Sequence, residues 1–316
     1  MRVLVTGAAG FVGVHLVRLL VDEGHDVHAL TLPDETLPRD LREVPRHPCD
    51  VTDAPWLESV LGDVAPEWIA HLAAVPSPKR CRENPALAWE VNFVGTYNLY
   101  RLAAEVVPDA RVLFVGSAVE YGRPAPDDLP LTEEAPLKAL DVYAATKVAG
   151  DLVGSQYAAS GRLAVIRARP FNHFGPGQAL GFVAPDFARQ VADVERGLRE
   201  PVLTVGNLAP ARDFLDVRDV VRAYVLLLEK GTPGAAYNVC SESTHTIREL
   251  LDALIALARI HPEVVVSGGR QRVDDADVIV GCAEALRADT GWQPEFSWDQ
   301  TVADLLDDWR QRVAFL

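Results

Sequence analysis

Cysteine is scarce. Four residues, Cys49, Cys81, Cys240 and Cys282, are spread over 316 positions with no Cys-x-x-Cys pair. That usage fits a reduced, cytoplasmic protein and argues against zinc, so no metal is expected. Long apolar runs are also missing: no stretch approaches 18 unbroken apolar residues. The chain opens directly on strand-like residues, so neither a membrane span nor a signal peptide is expected. Positive charge is in deficit, with 30 Lys and Arg against 45 Asp and Glu, a net charge of −15. Long-range steering therefore disfavours nucleic acid and anionic membranes, and an anionic ligand needs its own local arginines. Repeats and low-complexity tracts are absent. What remains is ample apolar content, 49% of residues, enough for one large or two modest domains.

The opening stretch organises the rest. Residues 2–5 read as a short buried strand, and 11–22 as a helix with Phe11, Val14, His15, Leu16, Leu19 and Leu20 at helical spacing. Between them stand Gly7, Gly10 and Gly13. A strand that turns straight into a helix presents unpaired N–H groups that bind an anion. Gly7 permits the tight turn, Gly10 lets a pyrophosphate approach, and Gly13 lets helix and strand pack closely. Dinucleotide binding is the expectation.

Further strands are expected at 26–30, at 68–74 (a strand with its exit) and at 111–116, and long helices at 86–107 and 143–159. The first of these helices is apolar almost all round, which implies burial on two sides. The proline- and acid-rich run 123–141 reads as a solvated surface loop, with a lid over substrate as the alternative. Cys49-Asp-Val-Thr-Asp53 sets Thr52 or Asp53 as a helix N-cap. His71 reads as a satisfied core histidine.

Tyr143 and Lys147 are four residues apart, hence one turn apart on one helix face. At neutral pH only about 0.1% of an ordinary tyrosine is phenolate. A nearby ammonium favours that anion. Tyr143 can then serve as the general acid in a ketone reduction, with Lys147 stabilising the phenolate left behind. Ser117, delivered at a strand's C-terminal end, can donate to the same oxygen.

The GxxGxxG turn, Ser117 four residues before Tyr121-Gly122, and Tyr-x-x-x-Lys, in that order, resemble the extended short-chain dehydrogenase/reductase superfamily, in its nucleotide-sugar branch. The resemblance implies cofactor contacts at Gly7, Gly10, Phe11, Val12, Gly13, Thr31, Asp50, Val51, Leu72, Ala73, Ala74, Asn92, Tyr143, Lys147 and Arg169. It implies Ser117, Tyr143 and Lys147 as the catalytic group. Substrate contacts are implied at Ser117, Glu120, Asn172 and Arg212, with Arg270 and Arg272 supplying further cations to a diphosphate. Thr31 stands where NAD-using relatives carry Asp. That tolerates NADP, although Asp34 and Glu35 would repel its phosphate; between NADP and NAD the balance leans slightly to NADP. RPFNHFGPGQ, RDFLDVRDV, YNVCS and DTGWQPE together resemble most the GDP-6-deoxy-D-mannose reductases, which reduce a 4-keto-6-deoxy nucleotide sugar to GDP-D-rhamnose.

One departure matters. The dehydratases of this superfamily carry acids directly after the hydroxyl, where this chain has Ala118 and Val119. Glu120 comes one step later, which in a strand-like exit points to the opposite face. Reduction is therefore favoured. A 4-epimerase with tightly held NAD is the alternative, and a non-enzymatic dinucleotide sensor a more distant one. The implied architecture is α/β: a Rossmann-type doubly wound parallel sheet over residues 1–168, with returning pieces near 212–240. A smaller, mainly substrate-binding region spans 169–316. Small residues on helix 143–159 suggest a homodimer formed through a four-helix contact with helix 86–107.

Overall fold

The computed structural model describes residues 1–267 and 276–314. Strand and helix alternate through the first half: β1 (Arg2–Thr6), α1 (Phe11–Asp22), β2 (Asp26–Thr31), β3 (Arg46–Pro48), α2 (Ala54–Val64), β4 (Trp68–His71), α3 (Pro78–Glu83), α4 (Pro85–Trp89), α5 (Thr96–Val106), β5 (Arg111–Val115), α6 (Val142–Ala159) and β6 (Ala164–Pro170). Then follow β7 (Asn172–Phe174), α7 (Val183–Glu195), β8 (Val202–Val205), β9 (Ala211–Asp216), α8 (Val217–Lys230) and β10 (Ala236–Val239). The chain closes with β11 (Thr244–Thr246), α9 (Ile247–Ala258), β12 (Glu263–Val266), β13 (Val278–Ile279), α10 (Glu284–Thr290) and α11 (Trp298–Val313).

Seven strands form one sheet in the order β10-β6-β5-β4-β1-β2-β3, every pair parallel. Such strands are covered on both faces, which is why β1 and β4 read as unbroken apolar runs. α1 and α8 cover one face through Leu16, Leu20, Val220 and Tyr224. α2, α5 and α6 cover the other through Leu57, Leu61, Tyr100 and Tyr157. From β1 the chain winds outward to β3, then returns to β4 on the opposite side. That reversal opens a crevice at the C-terminal ends of β1 and β4, the place where open α/β sheets bind ligands.

The expected helix over 86–107 is interrupted. Asn84 caps α4, but Glu90–Gly95 form a π-helical turn before α5 begins. The extra residue in that turn goes with Asn92, whose buried side chain binds Val75 and Thr146. Gly95 lies hard against Val51, whose Cγ2 would be 2.6 Å from any Cβ added there. Such π-turns often sit at functional sites.

The second core, beyond the main sheet, joins α7, α9 and α11 through Phe187, Val191, Leu250, Leu254, Leu305 and Trp309. β9 lies beside it in a small sheet with β7, β11 and β13. Between 212 and 240, α8 packs on α1 and β10 extends the large sheet, while β9 stays in the small one.

The run 123–141 is a surface loop, exposed along most of its length as expected, and is pinned at a few points. Leu131 is buried; its N–H donates to Val280 and its carbonyl accepts from Cys282 and Asn238. Its apolar residues, Leu129, Leu131 and Leu137, pack on the main core, which proline content alone does not reveal.

Candidate active site

The glycine turn lies at the crevice. Gly7 takes φ +65°, the left-handed region open to glycine, and a Cβ there would meet the Ala73 backbone at 2.8 Å. The Leu72–Ala74 segment leaving β4 thus presses on the turn leaving β1. Gly10 is exposed and is the N-cap of α1, with no side chain closing the helix end and no acid in its first turn. Those free N–H groups and the room above them fit a pyrophosphate. Gly13 is buried, and a Cβ there would lie 2.8 Å from Ala8 Cα. Gly13→Ala is therefore expected to lower the melting temperature and to abolish the further rise on adding NADPH; thermal melts with and without the dinucleotide check both effects. Phe11 is half-buried and stacks on His173 at 6.3 Å, tying the turn to the segment after β6.

One strand end and one helix deliver the remaining groups. Ser117 follows β5 and caps a 3-10 turn, Ala118–Tyr121. The Ser117 side chain, which accepts the Val119 N–H, lies near enough to Tyr143 to pull its phenol downward against the effect of burial. One turn further along α6, the Lys147 ammonium donates to the Val115 carbonyl at 2.8 Å and lies over the Phe114 ring. Burial holds the Tyr143 phenol well above the usual tyrosine range, and Glu120 adds to the shift. Burial pulls Lys147 down to about 8, against an opposing pull from Glu120. Ser117, Tyr143 and Lys147, separated in the chain, therefore sit together at the mouth of the crevice.

Other expected contacts lie elsewhere. Glu120 does not reach the crevice. The residues after Ser117 turn as a 3-10 helix rather than an extended exit, and this swings Glu120 inward to 0% exposure. Its Oε1 accepts the Ser117 N–H at 2.7 Å. Arg169 also points into the interior, because Asp151 draws it there: Nε and Nη2 donate to the two carboxylate oxygens at 3.0 and 3.1 Å. Asn92 is buried, its amide bonded to Val75 and Thr146, so it orders the loop after β4. Val51 and Thr31 are buried too, Val51 against Gly95 and Thr31 bonded to the Leu32 carbonyl. Asp50 accepts from both the N–H and hydroxyl of Thr52, and Asp53 is the residue that caps α2. Asn172 is exposed on β7, opposite Phe214 of β9; Arg212 lies two residues along that strand and is largely buried. Arg270 and Arg272 lie outside the described residues.

His71 is a core residue, bonded on one side to Thr6 and on the other to Thr96, and burial drives it down to about 3. A group the sequence reading overlooked is Asp151. It accepts from Arg167 as well as Arg169 and has no exposure. The signal was available: Tyr143, Lys147 and Asp151 are spaced i, i+4, i+8 on one helix face.

The model for the NAD dependent epimerase/dehydratase family matches residues 3–240. The chain belongs to that family. The chain is accordingly an NAD(P)-dependent enzyme. It is 36% identical to a GDP-6-deoxy-D-mannose reductase of Pseudomonas aeruginosa over 99% of this chain and 98% of that one. It is 29% identical to a UDP-glucose 4-epimerase of Corynebacterium glutamicum over 98% of this chain and 95% of the other. The solved structure of RMD from Pseudomonas aeruginosa complexed with NADPH superposes with a TM-score of 0.87 at 33% identity, over 99% and 100% of the two chains. Membership explains the fold-wide match. No helix among the described residues is long and apolar enough to cross a membrane, and none of their His, Cys, Asp and Glu groups could hold a metal ion.

Proposed function

We propose that the chain reduces a 4-keto-6-deoxy nucleotide sugar, GDP-linked, with NADPH as the preferred reductant. The observation that carries this reading is the Ser117–Tyr143–Lys147 cluster at the crevice, combined with the interior position of Glu120. A dehydratase needs an exposed acid beside the hydroxyl; here Ala118 and Val119 follow it, and the first carboxyl is buried. The 36% identity to a GDP-6-deoxy-D-mannose reductase supports the sugar and the base. NADPH in the similar Pseudomonas structure, and the lack of an acid at Thr31, support the reductant.

The dinucleotide, once bound, supplies a hydride to the sugar's carbonyl carbon. The protein's part is the oxygen. The buried Tyr143 phenol stays protonated at neutral pH and donates its proton to that oxygen. Ser117 donates a hydrogen bond to the same atom, where negative charge develops. Lys147, still an ammonium, steadies the phenolate that remains. Arg212, with Arg270 and Arg272, is assigned to the diphosphate, which a guanidinium can grip with two parallel bonds. Asn172 is assigned to the sugar side.

Incubation with GDP-4-keto-6-deoxy-D-mannose tests this directly. Loss of NADPH absorbance equal to the product formed is expected, with a higher kcat/KM for NADPH than NADH. Product formed with no net cofactor consumed would instead identify a 4-epimerase. Since Lys147 must be charged, kcat/KM is expected to fall as pH rises through about 8; a pH profile of initial rates checks this.

Trp89, Val94, Tyr97 and Leu152 leave large apolar side chains exposed on the helices of 85–106 and α6. These faces are assigned to a homodimer contact, and sedimentation as a monomer at micromolar concentration would exclude it. Four free cysteines suit a cytoplasmic location.

A further inference from the structure

The loop that leaves β4 is held at two points. At the end of β1, Thr6 Oγ1 accepts the Ala73 N–H at 3.1 Å. In the π-turn, the Asn92 amide oxygen accepts the Val75 N–H at 2.7 Å, and its nitrogen donates back to the Val75 carbonyl at 3.4 Å. His71 bridges these two anchors. Its Nδ1 lies 2.8 Å from the Thr6 hydroxyl and its Nε2 lies 2.9 Å from the Thr96 hydroxyl. Thr96 in turn donates to the Asn92 backbone carbonyl at 2.7 Å. The path from Ala73 through Thr6, His71, Thr96 and Asn92 to Val75 thus closes into a ring through the loop backbone. Thr6, His71, Asn92 and Thr96 are all buried.

One arrangement of hydrogens satisfies this ring. A carbonyl cannot donate, so the Thr96 proton goes to Asn92 and Thr96 Oγ1 accepts from His71. The imidazole proton therefore sits on Nε2. Nδ1 is left as an acceptor and takes the Thr6 hydroxyl proton, while Thr6 Oγ1 accepts from Ala73. A second proton on the imidazole would confront Thr6 with two donors and strand its own hydrogen. Burial, which pulls His71 down to about 3, acts in the same direction.

We propose that His71 is a positioning residue: as the Nε2–H tautomer it locks loop residues 72–75 between β1 and the π-turn, and so sets how tightly the dinucleotide is held. The inference rests on the assignment of residues 72–74 to the cofactor. The loop backbone is the wall on which the glycine turn closes. A Cβ at Gly7 would meet Ala73 N at 2.8 Å and the Leu72 carbonyl carbon at 3.0 Å, so slack at Ala73 reaches the turn directly. The same network extends to α6. Asn92 donates to the Thr146 hydroxyl at 3.1 Å, and Thr146 donates to the Tyr143 carbonyl at 2.8 Å. The loop and the helical turn that bears the phenol therefore share one anchor.

Thr96→Val tests this from the far side of the ring. It removes a hydroxyl that bonds neither to the loop nor to the glycine turn, and it keeps the side-chain shape. In the full-length protein the dissociation constants for NADPH and NADH, read by nucleotide fluorescence without sugar, are expected to rise about three- to tenfold, the effect of one net hydrogen bond passed along the ring. Thr96→Ser restores the hydroxyl and is expected to restore both constants. A hydroxyl with only a structural role would lower the melting temperature and leave both constants alone; that result in folded Thr96→Val protein would overturn the proposal. Should the variant not fold, wild-type protein carrying 15N in its eight histidines decides. A His71 pattern with Nε2 protonated and Nδ1 bare, constant between about pH 5 and 8 and shifted by NADPH, supports the proposal. An Nδ1–H tautomer, a midpoint within that range, or no response to NADPH would overturn it. Amide shifts of Ala73 and Ala74 on adding dinucleotide test the cofactor assignment separately. No sugar is present in these measurements, so a wrongly chosen substrate leaves their outcome standing.

Discussion

Replacing Tyr143 with phenylalanine is expected to cut kcat for sugar reduction by about 10²–10⁴-fold while leaving NADPH affinity within a few-fold of wild type. The phenyl ring keeps the packing on α6 but removes the proton donor, and a positioned general acid contributes on that scale. Lys147 keeps its bond to the Val115 carbonyl, so the ammonium stays in place. The loss should therefore fall on kcat. Initial rates from NADPH absorbance, with dinucleotide binding read separately by fluorescence, divide the two effects. Full activity in this variant would remove the phenol from the mechanism.

Asp151→Ala is expected to be the most damaging single change to stability, at about 3–5 kcal/mol, because it strands two arginines. Asp151 is wholly buried, and it neutralises both Arg167 and Arg169. Arg169 in turn steadies Tyr121 and the 123–141 segment through the Glu133 carbonyl. Removing the carboxylate takes the short ion pairs from the buried Arg169 and the partly buried Arg167, leaving Arg169 only the longer approach of Glu120 at 3.7 Å. Urea unfolding monitored by circular dichroism should show a lower midpoint at similar slope. Asp151→Asn should fall between alanine and wild type, since an amide oxygen still accepts one of the bonds.

The large sheet was legible because its strands obey simple rules. A buried parallel strand needs an apolar centre, and β1, β4 and β5 have one, with polar residues only at their ends. The glycine turn was legible for a similar reason: each of Gly7, Gly10 and Gly13 meets a separate steric demand, visible afterwards in the positive φ, the open helix end and the close strand–helix approach. Tyr143 and Lys147 follow from helix spacing read together with the glycine turn and Ser117.

What the sequence concealed were side-chain directions set by long-range partners. Arg169 reads as a ligand-binding cation until Asp151, 18 residues away, is found to claim it. Glu120 is a substrate contact by resemblance; the 3-10 turn after Ser117 buries it instead. Asn92 hides for a third reason, because only tertiary structure brings Val75 and Thr146 to its amide. The π-turn at Glu90–Gly95 falls in the same class: local propensity there is ordinarily helical, and the packing of Gly95 on Val51 lies outside any local window. The 123–141 segment is exposed along most of its length, as its prolines and acids suggest, while a few leucines anchor it to the core.

Deuterium transfer reaches the central claim most directly. With NADPH carrying deuterium on the transferred side of nicotinamide C4 and a GDP-linked 4-keto-6-deoxy sugar, one deuteron should appear at sugar C4 for every NADP⁺ released. An epimerised sugar with no label and undiminished NADPH would contradict the account.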